Sequence, residues 1–221
     1  MSNNRDKELA DPLGYGRIEY AYYLMAIDTG IEMTRCRLME ENGRGHFMTR
    51  RFDRTPDGQK LHMQSLCALG HHDFNVPGAT SYEQAFLLCQ QLGLGMAARE
   101  QLFLRMVFNV MAYNRDDHSK QIAFLMDKSG QWRLSPAYDM TYAFNPAGEF
   151  TNSHQMTINR KRDNISNDDL LAVAHRQGLN RASAQRLLNT VREVTHRCRS
   201  YAAQAQVREE QQEKIARLIV A

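Results

Sequence analysis

Asn114-Arg-Asp-Asp-His-Ser-Lys-Gln121 is too polar to continue the apolar run that precedes it, and Asp139 follows eighteen residues beyond its end. Phosphoryl transfer needs little covalent help and much positioning: a carboxylate near the attacking hydroxyl, an oxygen ligand for magnesium, and a second carboxylate that holds the metal against the phosphates. Asp116, Gln121 and Asp139 supply those groups in that order. Asp117 is the local rival for the first role, one residue closer to Gln121. Taken alone, Asp116-Asp117-His118 also suits a solvated turn.

The neighbouring segments give this stretch a setting. Met96 to Tyr113 carries Leu102, Leu104, Met106, Val107, Phe108 and Val110, which predicts a buried helix ahead of the polar loop. Ile122–Met126 and Trp132–Leu134 read as short strands joined by Asp-Lys-Ser-Gly, a turn sequence. Upstream, Ile18, Tyr22, Met25 and Ala26 recur at helical spacing in a helix that ends at Gly30. Met33–Met39 and His46–Phe52 flank Asn42-Gly43, a strong hairpin signal. A short helix is expected to carry Met63, Leu66 and Leu69, and Thr80 with Glu83 to cap the next one. Ser166 and Asp169 open a helical tail. The whole reads as an α+β chain, predominantly helical, with small β-hairpins.

The composition excludes several classes. An apolar fraction of 43% and a charged fraction of 24% permit a globular core. The 28 basic and 25 acidic residues are interspersed, with no block that would grip nucleic acid directly. Cys36, Cys67, Cys89 and Cys198 lie far apart and suit reduced thiols of a cytoplasmic protein. No run approaches the roughly 18 apolar residues of a membrane span.

The five-residue step from Asp116 to Gln121 matches the Asp-x-x-x-x-Asn of kinase catalytic loops. With Ile122-Ala-Phe-Leu-Met-Asp127 and Leu134-Ser-Pro-Ala-Tyr-Asp-Met140, the segment resembles the signature region of HipA-like serine/threonine kinases, the toxin half of bacterial toxin–antitoxin pairs. Glu19-Tyr-Ala-Tyr-Tyr-Leu-Met25 resembles that family's helix beneath the nucleotide, and Arg50-Arg-Phe-Asp-Arg54 its Glu-Arg-Phe-Asp-Arg hinge. The resemblance implies the C-lobe of a protein-kinase-like fold. It divides the chain into a flexible leader (1–15), a hinge-side helix and hairpin (16–60), and a helical C-lobe (61–221) with catalytic loop 114–121 and metal-binding Tyr138-Asp139. It implies that Asp116 deprotonates a substrate hydroxyl, that His118 and Lys120 face the phosphates of ATP, and that Gln121 and Asp139 hold Mg2+. Arg50 and Phe52 would present backbone to adenine, with Asp53 and Gln64 toward the ribose. Implied partners are a protein substrate such as an aminoacyl-tRNA synthetase and an antitoxin of the HipB type, with DNA reached only through the antitoxin, and no membrane.

Two departures stand out. The family pattern has Asn where this chain has Gln121, one methylene longer at a position meant for a metal with strict geometry. The Gly-rich loop and strand lysine expected to grip the phosphates have no counterpart: only Lys7 and Lys60 precede the loop, and Gly14-x-Gly16 is a lone glycine pair. A truncated product, a fragment or half of a split protein is therefore expected. Two other functions fit less of the sequence. One is a catalytically incomplete module that only binds a partner. The other is a metal-dependent phosphohydrolase built on Asp116-Asp117-His118.

Overall fold

The computed structural model describes residues 14–220. The expected leader, and Lys7 with it, lies outside the described residues apart from its last two positions. Those two already belong to the fold: Gly14 caps the first helix and Tyr15 opens it.

Helix α1 (Tyr15–Asp28) buries Ile18, Ala21, Tyr22, Met25 and Ala26, one stripe at 3.6-residue spacing. It packs on a two-stranded antiparallel hairpin, β1 (Cys36–Glu41) and β2 (Arg44–Thr49). Asn42 and Gly43, both at positive φ (49° and 76°), make the two-residue turn that the Asn-Gly pair predicts. The register runs from Glu41↔Arg44 to Cys36↔Thr49, a few residues off the expected strand limits. Gly16, the second residue of α1, has a packing role. A Cβ on Gly16 would meet the Gly45 carbonyl oxygen at 2.2 Å, so only glycine lets the helix start lie against β2.

A three-stranded antiparallel sheet of order β3-β4-β5 forms the second β unit, from β3 (His62–Ser65), β4 (Ala123–Met126) and β5 (Trp132–Leu134). Met63 is therefore a strand residue, opposite Leu125, and not part of the expected helix. The helical turn starts after it, as α2 (Leu66–Leu69) capped by Ser65. Pairing with β4 across a long sequence separation overrides the local helical spacing.

Helix α3 (Tyr82–Gln91) is capped by Ser81 and Gln84, one residue later than Thr80 and Glu83. The Thr80 carbonyl instead accepts from the Thr157 amide at 2.9 Å, which keeps residue 80 extended, and Glu83 accepts from the Asn159 amide at 3.0 Å. Helix α4 (Met96–Met111) runs through the middle of the core, with Leu102 to Asn109 all buried. The tail is α5 (Asn167–Arg176), with the expected Ser166–Asp169 capping box, then α6 (Arg181–His196), α7 (Cys198–Gln204) and α8 (Glu209–Ile219). All four cysteines are free thiols. No helix of the described residues is long and apolar enough to cross a membrane.

Phe108 meets the Tyr22 ring edge-on at 6.0 Å, and the Tyr22 hydroxyl donates to the Ala112 carbonyl at 2.6 Å. Both groups tie α1 to the end of α4, just before the polar loop. Phe108 is fully buried, so Phe108→Ala is expected to cost about 3–5 kcal/mol. A urea midpoint that does not move would place Phe108 outside the core.

Candidate active site

The polar loop is launched by the way α4 ends. The Tyr113 amide donates to Val110 and the Asn114 amide to Asn109, the paired bonds of a Schellman motif. Tyr113 occupies its left-handed position (φ 55°), where glycine is usual. The turn is held from both sides: Asn114, fully buried, donates through Nδ2 to Asn109 Oδ1 at 2.9 Å, and the Ala143 amide donates to the Tyr113 carbonyl at 3.1 Å.

The two adjacent aspartates then have opposite fates. The Asp117 carboxylate is 1% exposed. It accepts from the Gln155 amide (2.8 Å) and the Tyr82 hydroxyl (3.0 Å), and lies 2.9 Å from His154 Nδ1. Asn109 Nδ2 completes the chain by donating to the Tyr82 oxygen at 2.9 Å. Asp116 leaves 44% of its side chain exposed, with His118 Nε2 3.9 Å from its Oδ1. Partial burial lifts its carboxyl above the usual carboxylate range; His118 opposes the rise, and the charges of Asp139 and Asp117 add to it. Of the two, Asp116 alone has an open face for chemistry.

Asp139 is delivered to the same place from β5. The buried Arg105 guanidinium donates to the Ser135 carbonyl at 2.6 Å, the Ala137 amide donates to the Glu32 carbonyl, and the Tyr138 hydroxyl donates to the Lys120 carbonyl. Burial pulls Arg105 down to about 10. Asp139 itself sits at φ 57°, a left-handed conformation that Asp tolerates better than most residues. Its Oδ2 accepts from Gln121 Nε2 at 2.8 Å. Glu19 of α1 borders this group: burial first, and the Asp139 charge second, raise its carboxyl to about 7.

Asp116, Gln121 and Asp139 thus converge, with His118 beside them. The Asp139 carboxylate and an amide oxygen from Gln121 would be the hard-oxygen donors magnesium takes. Among the described residues no group of three or more His, Cys, Asp or Glu side chains forms a ready-made cage.

The remaining predicted residues are distributed unevenly around this centre. Lys120 Nζ lies 3.0 Å from the centre of the Phe74 ring, and the same ring meets His118 at 6.3 Å. The Phe52 ring packs on Tyr138 at 5.3 Å, next to Asp139. Gln64 lies on β3 opposite Phe124, on the strand that leaves the loop. Arg50 has its backbone engaged at both ends, the amide donating to Arg35 and the carbonyl accepting from Thr34 Oγ1. Asp53 is paired with Arg51 and Arg54, and its hydrogen bond with Arg51 leads in pulling the carboxyl down to about 2.

Tyr82, Arg105, Asn109 and His154 support the site and do not stand out as site residues in the sequence. One signal was present: Arg105 and Asn109, four residues apart inside an otherwise apolar helix, must face either solvent or a buried polar partner.

The fold and this constellation define the C-lobe of a kinase-like fold. Residues 4–201 match the family of the HipA-like C-terminal domain, and the chain belongs to that family. Among solved structures, it resembles HipA of Shewanella oneidensis MR-1, determined in a complex with HipB and operator DNA, at a TM-score of 0.71 and 20% identity over 93% of this chain. The chain spans about half, 54%, of that HipA. It also resembles the Helicobacter pylori proinflammatory kinase CtkA, at a TM-score of 0.60 and 11% identity, over 95% of this chain and 82% of that one. No protein with a curated description matches the sequence.

The raised Glu19 carboxyl has a consequence for stability. Its pKa goes from 4.5 to about 7 on folding, so its contribution is full below pH 4.5 and is lost as pH rises to about 7. Glu19→Gln removes this loss. Denaturation near pH 8 is expected to show a gain of about 1–2 kcal/mol, discounted for solvent screening of a partly exposed group, and none near pH 4. An equal gain at both pH values would mean that ionisation is not the cause.

Proposed function

We propose that this chain carries the catalytic loop of a HipA-like serine/threonine kinase, the toxin of a toxin–antitoxin pair, which transfers the γ-phosphate of ATP to a protein hydroxyl. The observation that carries the reading is the convergence of Asp116, Gln121 and Asp139, with Gln121 Nε2 2.8 Å from Asp139 Oδ2. A half-exposed aspartate with a raised proton affinity is suited to accept the proton of an incoming hydroxyl. As the hydroxyl oxygen bonds to the γ-phosphorus, the bond to the ADP oxygen breaks and the proton passes to Asp116.

Asp139 and the Gln121 amide oxygen would hold Mg2+, which supplies neutralisation of phosphate charge. The Gln121 side chain reaches Asp139 despite its extra methylene, but with its amide nitrogen toward the carboxylate, so a metal-ligand role requires the amide to turn its oxygen to that side. Lys120 carries positive charge on the phosphate side, with His118 beside it as a hydrogen-bonding group. The Phe74 ring steadies the Lys120 ammonium, a cation–π contact worth on the order of 0.5–2 kcal/mol. Phe52 packed on Tyr138 supports an adenine-side role next to the metal ligand. Gln64 is better disposed toward the nucleotide than Asp53, whose charge two arginines already neutralise. The Shewanella complex supports a partner of the HipB type, with DNA reached through it. A protein substrate such as an aminoacyl-tRNA synthetase and a cytoplasmic location complete the reading.

Calorimetric titration of Mg-ATP, together with a phosphoryl-transfer assay, tests the roles. Asp139→Asn is expected to weaken magnesium and nucleotide binding together, by about tenfold or more, because a metal ligand is lost. Asp116→Asn should leave nucleotide affinity within about twofold and lower transfer by about 10²–10⁴. Gln121→Asn should bind magnesium as well as the parent or better. Full transfer by Asp116→Asn, with Asp117→Asn dead while still folded, would overturn the assignment of the base. Mg-ATP binding with no transfer by the parent chain would favour the partner-binding module instead.

A further inference from the structure

Arg115 and Asp117, the two neighbours of Asp116, bind the same distant piece of chain, residues 143–163. The Arg115 amide donates to the Ala143 carbonyl at 3.0 Å, and the Ala143 amide donates back to Tyr113 at 3.1 Å. The Arg115 side chain, 13% exposed, reaches along this segment. Its guanidinium lies 4.4 Å from the Phe144 ring centre and 5.3 Å from that of Tyr113, Nη1 donates to the Asn152 carbonyl, and Nη2 pairs with Asp163 Oδ1 at 3.0 Å. Asp117 takes the middle of the segment through the Gln155 amide and His154. His154 in turn is fastened to Arg162, amide to carbonyl at 2.9 Å and guanidinium Nε to the His154 carbonyl at 2.7 Å.

This segment follows Asp139 in the chain. In many kinases the corresponding segment is mobile until a phosphorylated residue on it pairs with an arginine, which orders it for catalysis. Here the arginine beside the proposed base already has an anion, and the anion is a carboxylate encoded in the chain. The guanidinium is also covered by two aromatic faces, so its charge is held where water competes weakly.

We propose that Arg115 and Asp117 are positioning residues that dock residues 143–163 on the catalytic loop in the unphosphorylated chain, with Asp163 in the place of a phosphate. The ordered segment then forms one wall beside Asp116 without an activating modification. The role assigned to Asp116 rests on the kinase reading above. The docking does not, and its measurement involves neither ATP nor a metal.

Amide hydrogen exchange on the whole chain tests it, after phosphatase treatment and a mass measurement confirming that no phosphate remains. The Ala143 and Gln155 amides should be protected in that chain. In Arg115→Met they should exchange about tenfold faster or more, with Leu188 and Val191 of α6 unchanged, because the opening is local. Asp163→Asn should speed them by a few-fold, since one side of that pair is half exposed, and Asp163→Glu should restore the protection. Should Arg115→Met fail to fold, the Asp163 pair of variants still decides the question, because Asp163 is 51% exposed and outside the core. Loss of protection on removing phosphate would overturn the proposal. So would unchanged exchange at both amides in the folded variants, or a rise shared equally by α6.

Discussion

The site depends on one buried carboxylate. A charge taken out of water is costly unless hydrogen bonds replace the lost hydration. Asp117 meets that demand with a backbone amide, a tyrosine hydroxyl and an imidazole, contributed by α3 and by the segment around residue 155. Because all three must be present together, the loop cannot shift relative to either without leaving the charge unsatisfied. The buried carboxylate therefore fixes the position of the one beside it. Successive side chains on an extended loop point in different directions, so anchoring Asp117 inward turns Asp116 outward.

The same logic runs back into α4. A helix end normally exposes carbonyls to water, but this one lies at the core. The Schellman bonds, the Tyr22 hydroxyl on the Ala112 carbonyl and the Asn114–Asn109 side-chain bond provide partners for backbone and side-chain groups there. Helix α1 takes part through Tyr22 and also presents Glu19 toward Asp139. One helix thus contributes both to the mechanical support of the loop and to the field in which the loop's carboxylates sit.

Much of this was legible in the sequence where the signal is local. The Asn42-Gly43 turn, the Ser166–Asp169 capping box, the apolar α4 and the strands around residues 123–134 rest on backbone preferences within a few residues. Asp116, Gln121 and Asp139 were picked out together by their spacing, and the structure brings them near one another. The failures have a common cause in pairing across long separations. Met63 is a strand residue because β4 lies beside it, and Thr80 is extended because Thr157 bonds to it. Asp117 stood in the sequence only as a rival to Asp116, and its anchoring role depends on Tyr82, His154 and Gln155, which no local pattern brings together.

The electrostatic balance around Asp116 follows from these placements. Asp139 raises both Asp116 and Glu19, so three carboxyl groups on three elements share one field. The basic groups nearby are held short of neutralising it: the His118 ring stays 3.9 Å from Asp116, Lys120 rests on an aromatic ring, and Arg115 is paired with Asp163. Close-packed like charges cost stability, and a fold keeps them where a cationic ligand later offsets the cost. Arg105 of α4 and Arg115 of the loop are both turned to backbone carbonyls or to remote anions. These two arginines thereby leave the negative field at Asp116 and Asp139 in place, which is what the proposed kinase reading asks of a site for a metal-bound nucleotide.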